Sequence, residues 1–212
     1  MKIIKKFAAK HKDYLIAFLF YFVFALIIFW PVFLGKVNLN GHLLVTFYTI
    51  YNQILPFKDT GWDQIRFFFP FLGFSLEQLK AGHIPFWDPY IFSGHAHLAD
   101  FQTAIFYPLN IFGLFLTQIA FWHFLRIIPY FMGAFFAYTY LKNLKLKTLA
   151  AFFGGLTFGF SPLLLTWGEE IIILPHGIIW LPLILFFVDK YLDKGKMRYL
   201  GFLTLTFAAS LF

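Results

Sequence analysis

Residues 14-YLIAFLFYFVFALIIFWPVFLG-35 run for 22 positions without a charge. Wound as a helix at about 1.5 Å per residue, this run is long enough to span a hydrocarbon core of about 30 Å. Tyr14 and Trp30 stand near its two ends, where amphipathic rings settle at a membrane interface. Lys2, Lys5, Lys6, Lys10 and Lys12 come before it, and lysines flanking a crossing stay on the cytoplasmic side. A first crossing at 14–35 with an inner N-terminus is therefore expected. A cleaved signal peptide also begins with basic residues and an apolar run, but this run exceeds a typical h-region and no small-x-small cleavage site follows.

Composition extends the reading to the whole chain. Of 212 residues, 60% are hydrophobic and 13% charged, and the mean hydropathy is +0.73. Ordinary soluble domains carry about 25% charge, so this chain lacks the polar surface to face water on all sides. The apolar runs are long and continuous, unlike the alternating segments of outer-membrane barrels. The net charge of +7 falls in clusters beside membrane-length stretches and lacks a nucleic-acid recognition motif. With no cysteine, disulfides, thiolate catalysis and cysteine-bound metal are excluded.

The charge clusters set the remaining crossings. Lys142, Lys145 and Lys147 lie inside if one crossing occupies 121–141, and a juxtamembrane or re-entrant helix then covers 109–119. The third crossing is expected at 148–167, where Gly154, Gly155 and Gly159 permit close helix contact, and the fourth at 172–189. A fifth begins near Tyr199, and the 14 residues to Phe212 are too few to complete it, which suggests an N-terminal fragment. Inner segments then hold 12 basic and 3 acidic residues, outer ones 5 and 7. The expected fold class is an all-α polytopic membrane protein with a large first extracytoplasmic loop, 36–120, that contains juxtamembrane helices.

Within that loop, the spacing of Phe47, Tyr48, Ile50, Tyr51 and Leu55 predicts an interfacial helix over 43–55. A second helix is expected from Asp63 to Gly82, with Thr60 or Asp63 as N-cap, Lys80 in the last turn, and Gly82 as the left-handed terminator. Pro70 should bend or divide it. The segments 61-GWDQIRFFFPF-71 and 82-GHIPFWDPYIFSGHAHLADFQTAIFYPLNIFG-113 intersperse aromatic residues with Asp88, His95, His97, Asp100, Gln102 and Asn110. This pattern suggests a folded loop on the membrane surface, with polar groups directed into a shared cleft.

The order of an Asp ahead of an amphipathic helix, then G-x-I-P-x-W-x-P-Y-x-F-x-G-x from Gly82, then A-x-x-Q-x-x-x-F-Y-P-L-N from Ala99, resembles the bacterial YfhO-like membrane proteins of the GT-C superfamily of polytopic glycosyltransferases. The likeness covers most of the chain and is most specific over 82–113. Members more often carry Asn in place of Asp88 and Pro in place of His97. The resemblance implies a GT-C-like helix bundle in the bacterial plasma membrane. It further implies sugar transfer from a polyprenyl-phosphate donor to a cell-envelope polymer or glycolipid acceptor on the outer face. GT-C enzymes place a catalytic carboxylate in the first outer loop, and Asp63 matches that position.

Transfer with inversion needs a base to take the acceptor hydroxyl proton, and an interfacial carboxylate can serve. The plainer role for Asp63 is helix capping. Asp59 is the nearest competing base. Arg66, three residues on, could orient Asp63 or bind the donor phosphate through its planar fork, or form an ordinary interfacial ion pair. Arg126 is a second phosphate ligand, or a side chain that snorkels. His95, His97 and Asp100 could hold a divalent cation, magnesium or manganese, although their spacing matches no metal motif. Structural hydrogen bonding or contact with sugar or acceptor are the other readings, and Gln102 joins the substrate-binding set. Glu169 and Glu170 could serve as acid, base or metal ligand, or as solvated loop residues. Trp167 could stack on a sugar or anchor at the interface, and His176 could reach a cleft from the fourth crossing.

Two other functions compete. A transporter or channel should place polar residues in the middle of several crossings, and these crossings carry few. A non-catalytic envelope scaffold that binds lipid or partner proteins would tolerate neutralisation of Asp63.

Overall fold

The computed structural model describes residues 11–41, 43–44 and 61–211. Among the described residues the protein is mostly helical and contains no strand. The helices are α1 (Lys12–Ile28), α2 (Phe69–Lys80), α3 (Gln118–Asn143), α4 (Thr148–Gly159), α5 (Pro162–Glu170), α6 (Ile173–Ile178), α7 (Leu181–Lys194) and α8 (Met197–Ser210). Among the described residues three stretches are long and apolar enough to cross a membrane: Gln118–Asn143, Thr148–Glu170 and Ile173–Lys194. The second is interrupted at Phe160 and Ser161 and the third at Ile179 and Trp180. In each case a proline follows, Pro162 or Pro182, tolerated where a helix restarts because the first-turn N–H has no acceptor. The 17 residues of α1 are followed by a 3-10 turn over Trp30–Leu34, so the expected 14–35 run is an α-helix with a tighter end containing Pro31. The interfacial helix expected at 43–55 lies largely outside the described residues, as do Asp59 and Thr60.

The chain divides into two compact units. The first comprises residues up to Trp30 with Ile127–Leu165 and Pro175–Leu211. Its main core joins Ala17, Tyr21 and Ala25 of α1 to Phe131, Ala134 and Tyr138 of α3 and Ala151 of α4. Small residues let these helices approach: a Cβ on Gly155 would lie 2.5 Å from Tyr21 Oη, and one on Gly159 would lie 2.5 Å from the Tyr130 carbonyl oxygen. Tyr21 donates its hydroxyl to the Phe152 carbonyl at 2.7 Å. At one end of this unit Lys142 donates to Thr148 Oγ1 and Thr148 donates to Asp13 Oδ2, each at 2.9 Å. Asn143 donates to Asp189 at 3.2 Å. These bonds gather the start of α1, the end of α3, the start of α4 and the last turns of α7, so the lysines flanking those helix ends share one end of the unit.

The second unit comprises Pro31–Arg126 with Thr166–Leu174. Phe68, Leu72 and Leu76 bury against Phe121, Trp122 and Leu125 at the start of α3 and against Ile172. Helical structure begins at Trp62 and passes through a π-turn, Gln64–Phe68, before α2. There the Phe69 N–H reaches five residues back to Gln64 O. Pro70, next in line, has no N–H to give, and the expected bend takes the form of this widened turn. Gly82, at φ +81°, ends α2. The Gly82 N–H bonds Leu79 O at 3.0 Å and the His83 N–H bonds Gln78 O at 2.9 Å, the paired pattern that closes a helix on a left-handed residue.

Candidate functional site

Asp63 stands in the first helical turn after Gly61. Its side chain is exposed and makes no capping hydrogen bond, so the capping expected of it is not what the carboxylate does. The cap comes from elsewhere in the chain. Glu170, at the end of α5, accepts the Gly61 N–H through Oε2 at 2.6 Å. Gln64, 1% exposed, donates its amide to the Glu169 carbonyl oxygen. Asn40 adds a long bond, 3.4 Å, to Gly61 O. Arg66 lies over the Trp62 ring, its guanidinium carbon 4.7 Å from the ring centre.

Arg126 does not snorkel. It is 2% exposed, donates Nε to Asn38 Oδ1 at 3.2 Å and bonds the Gly168 carbonyl through its guanidinium. Trp122 Nε1 donates to Asn38 O at 2.6 Å, and the Asn38 N–H bonds His123 at 3.3 Å. The irregular backbone at Asn38 is thus satisfied by side chains from the start of α3, as buried polar backbone must be. The segment around Asp63, the acidic end of α5 and Arg126 therefore share one network. Trp167, in the same unit, is 47% exposed.

A second polar cluster tethers the 82–103 loop to α2. His97 is fully buried, and its Nε2 pairs with Ser75 Oγ at 2.8 Å. Its Nδ1 lies 3.9 Å from Asp88 Oδ2, while Asp88 Oδ1 accepts the Tyr90 N–H at 2.9 Å. Asp88 and His95 pair through two backbone bonds of 2.8 Å, and His95 Nε2 is 3.8 Å from Asp100 Oδ2. Asp100 Oδ1 caps the following turn by accepting the Gln102 N–H at 3.0 Å; the Gln102 side chain is exposed. The rings of Phe71 and Phe74 pack on His97. Burial holds His97 below its ordinary value of 6.5, with Asp88 pulling upward, His95 downward and Asp100 upward.

Asp88 and His97 are thus neighbours. Among the described residues no group of three His, Asp or Glu side chains is arranged to hold a metal ion. His176 is buried on α6, within the part of the chain assigned to the first unit. Reading the sequence missed Ser75 and Asn38. Ser75 had a signal, being the one hydroxyl within the otherwise apolar stretch 69-FPFLGFSL-76; Asn38, in a short irregular segment, had none. Compared with known protein families, with curated proteins and with solved structures, the chain matches none.

Proposed function

We propose that this chain is a YfhO-like membrane protein of the GT-C type that transfers a sugar from a polyprenyl-phosphate donor to a cell-envelope polymer or glycolipid. The observation that carries the reading is the state of Asp63. Its carboxylate is exposed and makes no capping bond, while the helix beneath it is held by Glu170 and Gln64. In the reaction Asp63 takes the proton of the acceptor hydroxyl as that oxygen attacks the anomeric carbon. The new C–O bond forms, the bond to the phosphate oxygen breaks, and polyprenyl phosphate leaves with the electron pair. In this reading Arg66, three residues along the chain, receives the phosphate through its planar fork.

The lysine-bearing end of the first unit is the cytoplasmic one in this reading, by the positive-inside rule. Asp63 and the 82–113 loop then lie on the outer side of a bacterial plasma membrane, in the large first extracytoplasmic loop of a GT-C-like bundle. Incubating membranes that contain the parent or a folded Asp63→Asn variant with radiolabelled polyprenyl-phosphate sugars tests it. Transfer into a membrane glycopolymer fraction by the parent, and its loss in the variant, is the expected result. Transfer retained by the variant moves the base to Asp59 or Glu169, whereas no transfer by either across a broad donor panel replaces the enzyme with a scaffold or transporter.

A further inference from the structure

We infer that Glu170 is a positioning residue for Asp63, a helix cap supplied from a segment more than a hundred residues along the same chain. The clamp is read from geometry, and its consequence for catalysis rests on the glycosyl-transfer reading. The first N–H groups of a helix have no intrahelical acceptor, and the usual remedy is an oxygen from a neighbouring Ser, Thr, Asp or Asn side chain. Asp63 makes no such bond. The Glu170 carboxylate does the work instead, accepting the Gly61 N–H at 2.6 Å and placing negative charge at the positive end of the helix dipole.

Two further contacts fix the 168–170 segment, one to the same helix and one to α3. The Gly168 carbonyl takes Arg126 and the Glu169 carbonyl takes Gln64. The approach is close enough to require glycine at 61. That residue has φ +86°, and a Cβ there would sit 3.3 Å from the Glu169 carbonyl oxygen, with the Asn40 side chain nearer still. Capping from α5 leaves the Asp63 carboxylate free while its backbone is pinned. A base that has to meet an acceptor hydroxyl within hydrogen-bond reach needs both conditions.

The test uses the full chain in membranes, with Glu170→Ala, Glu170→Gln and Asp63→Asn variants and two readouts. Hydrogen–deuterium exchange at Gly61, whose N–H Glu170 accepts, and over the first bonded helical N–H groups at 65–69 should quicken about tenfold in Glu170→Ala as the first turn frays. It should stay near the parent in Glu170→Gln, whose amide oxygen still accepts the Gly61 N–H. Sugar transfer per folded protein should follow the same order, with kcat down about tenfold in Glu170→Ala and KM for the donor unchanged, because Glu170 positions a base and does not bind substrate. Unchanged exchange in Glu170→Ala overturns the clamp. A fall in transfer without a change in exchange also overturns it, since Glu170 would then act directly. A parent that transfers no sugar defeats the catalytic reading alone, and the exchange result still decides the clamp.

Discussion

The two units are held together by different chemistry. In the first, α1, α3 and α4 meet through glycine, alanine and aromatic rings, and its polar bonds between helices fall mostly at the helix ends. In the second, side chains bond the backbone of helix ends and of irregular chain: Arg126, Gln64 and Gln118 donate to the carbonyls of Gly168, Glu169 and Phe69, Trp122 donates to Asn38 O, and Glu170 accepts the Gly61 N–H. The contrast follows from backbone satisfaction. A helix pairs its own N–H and C=O groups and needs only a fitting surface, so small residues at the contact suffice. Helix ends and chain that is neither helix nor sheet leave backbone groups without a local partner, and here side chains supply it.

Substitutions can break this contrast, and the largest effect is expected at Arg126. Arg126→Met leaves the Gly168 carbonyl and Asn38 without their charged donor and should cost about 3 kcal/mol. It would be read as a lowered thermal midpoint in detergent, and Arg126→Lys should recover little because a single ammonium cannot replace the planar fork. A midpoint unchanged in Arg126→Met would mean that the second unit is not held by polar bonds. Gly159→Ala probes the first unit. With Ala134 N and Tyr130 O each 2.5 Å from the added carbon, both of them backbone, relief requires the helices to part, at about 2 kcal/mol. A neutral result in the same melting assay would show that this packing yields easily.

His97 sharpens the comparison through pH. Its folded value is lowered by burial below 6.5, so the folded loop takes up a proton less readily than the unfolded one. The stability that depends on neutral His97 is complete above about pH 6.5 and is lost as pH falls through the lowered folded value. Protection against hydrogen exchange over 93–103, taken relative to the intrinsic exchange rate at each pH, should therefore fall on acidification from pH 7 to 5, and His97→Gln should remove the dependence. The smallest effect is expected at Asp100→Ala, which loses the cap on Gln102 N at roughly 0.5 kcal/mol and should appear as local exchange at 101–103 with the thermal midpoint unmoved.

Much of the helical layout was legible in the residues. Lipid demands apolar length, so 121–141 and 148–167 stand out and fall within Gln118–Asn143 and Thr148–Glu170. Gly82 could be read as a terminator because a left-handed residue after the last helical turn favours glycine. Pro70 announced a distortion, since a missing N–H acts locally. The choice of a π-turn over a kink was beyond that local reading.

The roles of the polar residues were a different matter. Asp63 has the composition and place of a cap, yet Glu170, 109 positions from Gly61, supplies it. Arg126 looks from its neighbours like a snorkelling side chain, yet it is buried against Gly168 and Asn38. Ser75 and His97 meet across 22 positions, pairing a helix with a loop. Periodicity, hydropathy and turn chemistry act over a few residues and are written into the local sequence. A hydrogen bond between distant segments has no period and no spacing rule, and its partners are chosen only when the folded chain brings two backbones within about 3 Å of each other's side chains.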